Sequence, residues 1–316
     1  MSFTHNSIAK KFPPELANTR PVMAEDWTPV RIPFLSPPSR LPAPLPKERE
    51  FLQSPVVLRE DVSHHRVVAV SEHFIVKHGR GVEEIEGQTL LFLERFPNES
   101  LTVPRLYAMW RMPSTGHLCL VMERIQGLDL ESAWLTLTND DKSAICAKIK
   151  IGIDYLRSIP PPGYYGGVGS TKLPHHLFWD KQGNKEICGP FQNNSDVHAA
   201  LVKRLRMINT GNVDHITAKA KFYERHLDTM LGVHPPVLSH SDLQRKNILF
   251  KKTVDSVEVA IIDWEVAGWY PSYWEYAISF CTLEWNDDWP QYFEEFVGPW
   301  PKEASAMRML YQDLWF

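Results

Sequence analysis

The sequence predicts an α+β fold of two lobes, a small antiparallel β-sheet lobe with one helix followed by a larger, mainly helical lobe. Short β-branched runs alternate with polar breaks from residue 54 to residue 122, which is the pattern of a strand meander. After residue 128 apolar residues recur every three or four positions, which is the period of amphipathic helices. With 316 residues, 43% of them hydrophobic, the chain is long enough to bury a large core.

Composition disfavours several classes of partner. A net charge of -4 and a pI near 6.4 leave no basic surface for nucleic acid. The sequence has no apolar run near the ~20 residues of a membrane span, and its first residues lack the apolar core of a secretory signal. Its four cysteines are scattered, as is typical of reduced thiols, so we expect a cytoplasmic protein without a disulfide or a zinc site. We also expect a monomer or a weak dimer.

The N-terminal elements follow from local patterns. Residues 1–53 form an arm, and the prolines between 11 and 47 make regular structure there unexpected. An amphipathic helix is predicted over 81–96, despite Gly87. Short apolar and β-branched runs separated by polar breaks predict strands over 55–60, 65–70, 73–79, 104–111 and 117–124.

The C-terminal elements are mostly helical, and strand signals return only around 237–250 and 257–264. The helix that starts near residue 139 has Asn139 or Asp140 as its predicted N-cap. Residues 160–192 are predicted to be irregular. Helices are predicted over 139–159, 195–208, 213–231, 272–285, 288–297 and 302–316.

The loop between the two late strand signals reads "HSDLQRKNILF" and is rich in functional side chains. It contains neither glycine nor proline, the residues that turn geometry alone would favour. Asp242 and Asn247 lie five apart on this loop, and Asp263 ends the apolar run "VAIID". Two Asp residues and an Asn brought together by a short hairpin offer oxygen ligands for Mg²⁺ and a carboxylate that can orient a hydroxyl. This set of groups is typical of phosphoryl transfer.

"HSDLQRKNIL" followed by "IIDWEVAGWYPSYWEYA" resembles the signature of the aminoglycoside phosphotransferase/choline kinase-like family, which has a protein kinase-like fold. The resemblance extends upstream to "FIVKHG", "EIEGQTLLFLERF" and "LCLVMERIQGLDLESAW" and covers about residues 55–316. The segments "AGWYPSYWEYA" and "GPF" are most similar to a fungal-type branch. The resemblance implies an N-terminal ATP-binding lobe (54–122), a hinge (123–127) and a C-terminal lobe for catalysis and substrate binding (128–316).

The family also implies roles for individual residues. Lys77 would hold the α- and β-phosphates of ATP and pair with Glu86, although Glu83 and Glu84 are nearby rivals for that ion pair. Asp242 would be the catalytic base or the carboxylate that orients the acceptor hydroxyl. Asn247 and Asp263 would be magnesium ligands. In the hinge, backbone groups of Glu123 and Ile125 would meet the edge of the adenine, with Met122 just behind it.

Several residues near the motifs have alternative readings. We expect His240 to pack beneath the loop and Glu275 to hold its backbone, while Glu265 could support Asp263 or a second metal. Ser241 replaces the family's usual glycine and would strain the loop if its φ is positive.

Two glycine patterns bear on phosphate binding. The turn "EDVSHHR", residues 60–66, lacks the glycines that cradle phosphates in protein kinases. The glycine cluster "PPGYYGGVGS", residues 161–170, lacks the P-loop context and is predicted to be a flexible surface loop.

These residues predict an ATP- and Mg²⁺-dependent kinase acting on a small-molecule hydroxyl acceptor. Seven of eleven tryptophans follow residue 260, and with Glu284, Asp287 and Asp288 they slightly favour an amine-bearing alcohol or sugar. A nucleotide-binding module with weak or no catalysis is the main alternative. A protein kinase is disfavoured because no A-P-E segment follows "IDW".

Overall fold

In the computed structural model of the protein, which describes residues 24–61, 65–97, 101–208, 213–253 and 256–315, strands dominate the first third of the chain. The first sheet consists of β1 (Phe34–Leu35), β2 (Val57–Asp61), β3 (His65–Val70), β4 (Phe74–Gly79), β5 (Leu106–Arg111) and β6 (Leu118–Glu123). Their order is β1-β5-β6-β4-β3-β2, and all neighbours are antiparallel. The five strands predicted for this lobe are present as β2 to β6.

The proline-rich arm contains short regular elements. Phe34 and Leu35 pair with β5, so the expectation of no regular structure is wrong there. The two residues lie between prolines, where backbone N–H groups remain available to donate. A one-turn helix, α1 (Glu48–Leu52), then buries Phe51 against the sheet. Residues 11–23 of the proline-rich stretch lie outside the described residues.

Helix α2 (Glu84–Leu93) is buried on all sides, so the prediction of an amphipathic helix with one exposed face is wrong. The arm covers its outer face, where the side-chain amide of Gln88 accepts from the N–H of Val30 at 2.8 Å and donates to its C=O at 2.7 Å. The inner face meets the sheet at Gly87, where a Cβ would stand 2.7 Å from Sδ of Met109. Glycine therefore permits the close approach of helix and sheet.

Helices make up most of the C-terminal lobe. They are α3 (Leu130–Ala133), α4 (Asn139–Ser158), α5 (Lys185–Cys188), α6 (Asn194–Ile208), α7 (Val213–Leu231), α8 (Trp274–Thr282), α9 (Trp289–Val297) and α10 (Pro301–Trp315). The six predicted helices are present as α4 and α6 to α10, while the short α3 and α5 were not predicted. Within the described ranges, no helix combines the length and apolar composition needed to cross a bilayer.

The N-cap of α4 differs from the prediction. Oγ1 of Thr138 accepts from the N–H of Asp141 at 3.2 Å, so the cap is Thr138 rather than Asn139 or Asp140. Thr138 has the extended backbone that a cap requires, whereas Asn139 is already helical.

Five short strands hold the polar loop in place: β7 (Leu128–Asp129), β8 (Pro236–Ser239), β9 (Ile248–Lys252), β10 (Val257–Ile261) and β11 (Gly268–Pro271). β8 pairs with β11, and β9 lies between β10 and β7. The loop after β8 therefore runs beside the segment after β10, and the N–H of Ile262 donates to the C=O of Asn247 at 2.9 Å. This pairing brings the two sequence motifs together.

The middle of the glycine-rich segment 161–170 is part of the interior, so the prediction of a flexible surface loop is wrong there. Its central four residues are buried. Tyr165 exchanges backbone hydrogen bonds with Phe191 at 2.9 and 2.7 Å, and Gly166 does the same with Trp269 at 3.1 and 2.8 Å. The segment joins two distant stretches of the C-terminal lobe.

The arm contacts both lobes at its first described residues. Trp27 packs edge-on against Phe92 of α2, with ring centroids 5.8 Å apart. Two residues later Pro29 packs on Gly169 of the glycine-rich segment. The arm thus spans from α2 to the C-terminal lobe.

The four cysteines are buried and free. Burial raises the pKa of all four thiols, to about 12 for Cys146 and Cys281. Thiols with such a raised pKa are protonated at neutral pH and are poor nucleophiles and metal ligands. They therefore serve as small core side chains.

Candidate active site

The side chain of Lys77 ends among three carboxylates. Its Nζ lies 2.8 Å from Oε2 of Glu86, 2.7 Å from Oδ1 of Asp263 and 2.7 Å from Oε2 of Glu265. The lysine comes from β4, Glu86 from α2, and the two other acids from the segment after β10. The ammonium group therefore links the sheet lobe to the helical lobe.

Glu86 is the one of the three candidate acids that contacts Lys77. The neighbouring Glu84 pairs instead with Arg111 at 2.9 Å. Residues two positions apart lie on different sides of a helix, so Glu84 cannot share the orientation of Glu86. The third candidate, Glu83, precedes the helix and turns outward to an exposed lysine.

Burial and pairing set the charges of this cluster. Burial lowers the pKa of Lys77, but the carboxylates outweigh it and raise that pKa above its ordinary value. Burial opposes the ionisation of Asp263, yet Lys77 holds the pKa of that carboxyl below its usual range. Burial raises the pKa of Glu86 to about 7, against the opposite pull of the lysine. At neutral pH Lys77 is therefore a cation and Asp263 an anion.

Asp263 has a left-handed backbone directly after β10, with φ 66° and ψ 60°. Asp and Asn tolerate this conformation better than most residues. Its second carboxylate oxygen, Oδ2, lies 3.3 Å from Nη1 of Arg59 on β2. Asp263 is therefore held by two cations from different strands.

Asp242 and Asn247 are bonded to each other across their loop. Nδ2 of Asn247 donates to Oδ2 of Asp242 at 2.8 Å and to its C=O at 2.9 Å. Nε2 of Gln244 donates to Oδ1 of the same carboxylate. These bonds fix the direction of the Asp242 carboxylate.

Buried polar groups fix the backbone of the same loop. Both carboxylate oxygens of Glu275 accept from the N–H of Ser241 at 3.0 Å. Nδ1 of His240 accepts from the N–H of Asp242 at 3.3 Å, while its Nε2 donates to the C=O of Ile262 at 2.9 Å. The structural roles predicted for His240 and Glu275 are confirmed.

Ser241 has a φ of +69°, so this position does carry the left-handed backbone that favours glycine. Its hydroxyl accepts from Nε1 of the buried Trp274 at 2.7 Å. The serine therefore satisfies a buried donor that glycine would leave without this partner.

Two substitutions separate these opposing effects. Ser241→Ala keeps the backbone strain and loses the hydrogen bond, so we expect it to lower the free energy of unfolding by about 1–3 kcal/mol. Ser241→Gly loses the same hydrogen bond but relieves the strain, so its loss of unfolding free energy should be about 1 kcal/mol smaller. Urea denaturation of both variants measures the difference. A glycine variant more stable than the wild type would show that strain outweighs the bond to Trp274.

Two cavities flank these loops. The larger, of 620 Å³, is lined by seven of the eight predicted site residues: Lys77, Glu86, Met122, Glu123, Ile125, Asn247 and Asp263. The eighth, Asp242, lines a separate cavity of 230 Å³ together with Glu265, His175 and His176. The structure thus places Asp242 in a different cavity from the other predicted residues.

The predicted hinge forms the far wall of the larger cavity. Glu123 donates its backbone N–H to the C=O of Arg105 at 2.8 Å, so this N–H is already engaged within the sheet lobe. Met122 is buried beside it, and Ile125 lines the same wall.

Sequence reasoning missed the two histidines of the smaller cavity. Burial lowers the pKa of His175 well below its ordinary value and that of His176 to about 4. Both rings are therefore neutral at pH 7 and act as hydrogen-bonding groups. Their only sequence signal is the dipeptide "HH" within a stretch without clear periodicity.

Of the three acids expected to favour an amine, two are paired with cations of the protein and the third is on the surface. Asp287 pairs with Arg245 at 2.5 Å, and Asp288 pairs with Lys142 at 2.7 Å. Glu284 is exposed. Within the described part of the chain, none of these three acids lines the cavity that contains Asp242.

The oxygen donors around Asp263 suit a hard divalent cation. The carboxylates of Glu86, Asp263 and Glu265 lie within 4.8 Å of one another, but Nζ of Lys77 contacts all three. A cation would therefore draw on Oδ2 of Asp263 and on the amide oxygen of Asn247, whose nitrogen is bonded to the loop. Oxygen-only ligands fit Mg²⁺ and are unlike the Cys and His sets preferred by zinc.

Three solved structures share the fold. APH(4)-Ia aligns with a TM-score of 0.55 and 16% identity over 84% of this chain and 87% of that chain. ADP-bound APH(2'')-Ib aligns with a TM-score of 0.54 and 16% identity over 81% of this chain and 80% of that chain. The GDP complex of aminoglycoside 2'-phosphotransferase-IIIa aligns with a TM-score of 0.53 and 15% identity over 82% of this chain and 83% of that chain. At these identities the likeness establishes the fold alone.

The sequence itself matches one family model, described as "APH: Phosphotransferase enzyme family", over residues 56–300. No curated protein gives a significant match. The model spans most of the chain and includes both halves of the site described above. The chain therefore belongs to the phosphotransferase enzyme family and has a protein kinase-like fold.

Proposed function

We propose that the protein is an ATP- and Mg²⁺-dependent enzyme that transfers the γ-phosphate of ATP to a hydroxyl of a small molecule. The acceptor class is an amino-alcohol, an aminosugar or a secondary metabolite. The observation that carries the proposal is the hydrogen bond that joins Asp242 to Asn247, because the two residues open to different cavities. A phosphate donor in one cavity and a hydroxyl in the other would meet at this pair.

Each charged residue then has a defined task. Lys77 binds the phosphates of ATP, and Glu86 keeps its ammonium group in position. Asn247 and Asp263 hold Mg²⁺, which when bound neutralises charge on the transferred phosphate. Asp242 orients the acceptor hydroxyl and accepts its proton.

The lining of the smaller cavity bears on the acceptor. It combines the carboxylates of Asp242 and Glu265 with the neutral rings of His175 and His176. Hydroxyl groups pair well with both kinds of partner, while a single amine has the two carboxylates as possible partners. A small polyhydroxylated compound with one amine matches this lining better than a polycation.

A thermal-shift titration with Mg²⁺-ATP and Mg²⁺-GTP, beside a panel of hydroxyl compounds assayed by ADP release, tests the proposal. We expect nucleotide stabilisation that depends on Mg²⁺ and turnover that depends on one acceptor class. Stabilisation without turnover for any acceptor would support a nucleotide-binding module. Phosphorylation of peptides but not of small molecules would support a protein kinase.

Lys77 should matter far more than the loop cation Lys246. We expect Lys77→Ala to lower kcat/KM by about 10²–10³, the effect of losing a buried group that stabilises developing charge. The matched variant Lys246→Ala should lower it about fivefold at most, because this half-buried side chain is not expected to be the phosphate clamp. Lys77→Arg, which keeps the charge, controls for folding. Equal losses in the two alanine variants would identify the loop cations as the phosphate clamp.

A further inference from the structure

Arg59 is a cation that lines the larger cavity beside Asp263, as Lys77 does. It lies in the middle of β2, the strand that leads into the turn whose sequence lacks glycine. Both Arg59 and the preceding Leu58 line the 620 Å³ cavity. In a glycine-rich loop, backbone N–H groups approach the phosphates closely, and a turn without glycine lacks that option.

A β-bulge turns Arg59 toward the cavity. Val57 lies opposite Val68 on β3, but Arg59 lies opposite Val67, so Leu58 is the extra residue. A bulge of one residue reverses the face on which the following side chain lies. Without it, Arg59 would share the face of Val57.

The strand register then aligns Arg59 with Lys77. Val67 is the partner of Arg59 on one side and of Lys77 on the other. Directly opposed residues in antiparallel strands share a face, and neighbouring strands are about 4.8 Å apart. Arg59 and Lys77 therefore stand two strands apart, roughly 10 Å at the backbone, on the cavity face of the sheet.

Both side chains converge on one carboxylate. Nη1 of Arg59 lies 3.3 Å from Oδ2 of Asp263, and Nζ of Lys77 lies 2.7 Å from Oδ1. The lysine side chain is 4% exposed and the arginine side chain 50% exposed. An exposed arginine can leave a carboxylate at little cost, and it binds phosphate through two parallel hydrogen bonds.

We propose that Arg59 is a phosphate-binding residue that takes the place of a glycine-rich loop. Its guanidinium group binds the terminal phosphates of the nucleotide from the same face of the sheet as Lys77, two strands away. This assignment rests on the proposed function, because it requires that the larger cavity bind a nucleoside triphosphate.

Calorimetric titration with Mg²⁺-ATP and with adenosine tests the assignment without an acceptor. We expect Arg59→Ala to raise the Kd for Mg²⁺-ATP about 10- to 100-fold and to leave the Kd for adenosine within about twofold, because adenosine lacks phosphates. The Kd of Arg59→Lys for Mg²⁺-ATP should lie between those of the wild type and Arg59→Ala, since lysine keeps the charge but cannot form the bidentate contact. Arg80→Ala, which removes an exposed arginine just after β4, is the control for loss of one positive charge.

Two results would overturn the assignment while leaving the proposed function standing. In the first, the wild type binds Mg²⁺-ATP and the Kd of Arg59→Ala for Mg²⁺-ATP equals that of Arg80→Ala. The other is an equal loss of affinity for adenosine, which would make Arg59 a structural residue of the sheet. A wild type that binds no nucleotide would overturn both proposals.

Discussion

We expect Asp242→Asn to lower turnover with the true acceptor by about 10²–10⁴, the usual contribution of a positioned general base. The Kd for ATP should stay nearly unchanged. Asparagine keeps the acceptor oxygen that Asn247 requires, and the amide of Gln244 can rotate to accept from the new NH₂ group. The substitution therefore preserves the loop and removes the charge that accepts the hydroxyl proton.

Steady-state ADP release at saturating acceptor and calorimetric ATP titration give the two readouts. Asp154→Asn, which changes an exposed carboxylate paired with Lys150 on α4, is the control and should be fully active. A nucleotide-binding module would have no acceptor-dependent turnover to lose. Loss of ATP binding, or full activity, in Asp242→Asn would make Asp242 a structural or metal-binding residue.

We expect Asp263→Asn to abolish Mg²⁺-dependent nucleotide binding and to lower turnover by at least about 10³, since a catalytic metal contributes several kcal/mol. Asparagine tolerates the left-handed backbone at this position, whereas Asp263→Ala would add about 1 kcal/mol of strain. Lys77 keeps Glu86 and Glu265 as partners, so the fold should survive.

ATP affinity measured against Mg²⁺ concentration checks this result. The wild type should bind ATP more tightly as Mg²⁺ rises, and Asp263→Asn should lose that dependence. Glu258→Gln, an exposed change on β10 of the same hairpin, should behave as the wild type. Undiminished, Mg²⁺-dependent turnover in Asp263→Asn would remove Asp263 from the proposed metal site.

Elements with a local signal could be predicted from the sequence. β4 begins with the apolar run Phe-Ile-Val, β6 is apolar in its first five residues, and α4 keeps a helical period over twenty residues. The loop from His240 to Phe250 could be recognised because its functional residues are adjacent in the chain. Each of these features depends on residues that lie within about one secondary-structure element of each other in the sequence.

Features that depend on distant partners could not be predicted. The hydroxyl of Ser241 meets Trp274 only after folding, so its reason for replacing glycine is invisible in the sequence. Asp287 looked available to a ligand because its partner Arg245 lies 42 positions earlier. The full burial of α2 likewise results from the arm and from the C-terminal lobe, neither of which is near it in sequence.

Some expectations stay predictions. They include the boundaries of the arm, the two lobes and the hinge, and the roles of Lys77, Met122, Glu123 and Ile125 toward ATP. The expected monomer or weak dimer also awaits measurement. The turn at residues 60–66 is described only at its two ends, since residues 62–64 lie outside the described ranges.

The packing of Pro29 on Gly169 has a consequence for biosynthesis. The arm leaves the ribosome before the rest of the described chain, and its docking surface on the glycine-rich segment emerges about 140 residues later. At about 5–20 residues per second this delay is roughly 7–28 s. During that time the contact between Pro29 and Gly169 cannot form, so this part of the docking of the arm is a late event in folding. Loss of this contact would therefore affect the completion of folding more than its start.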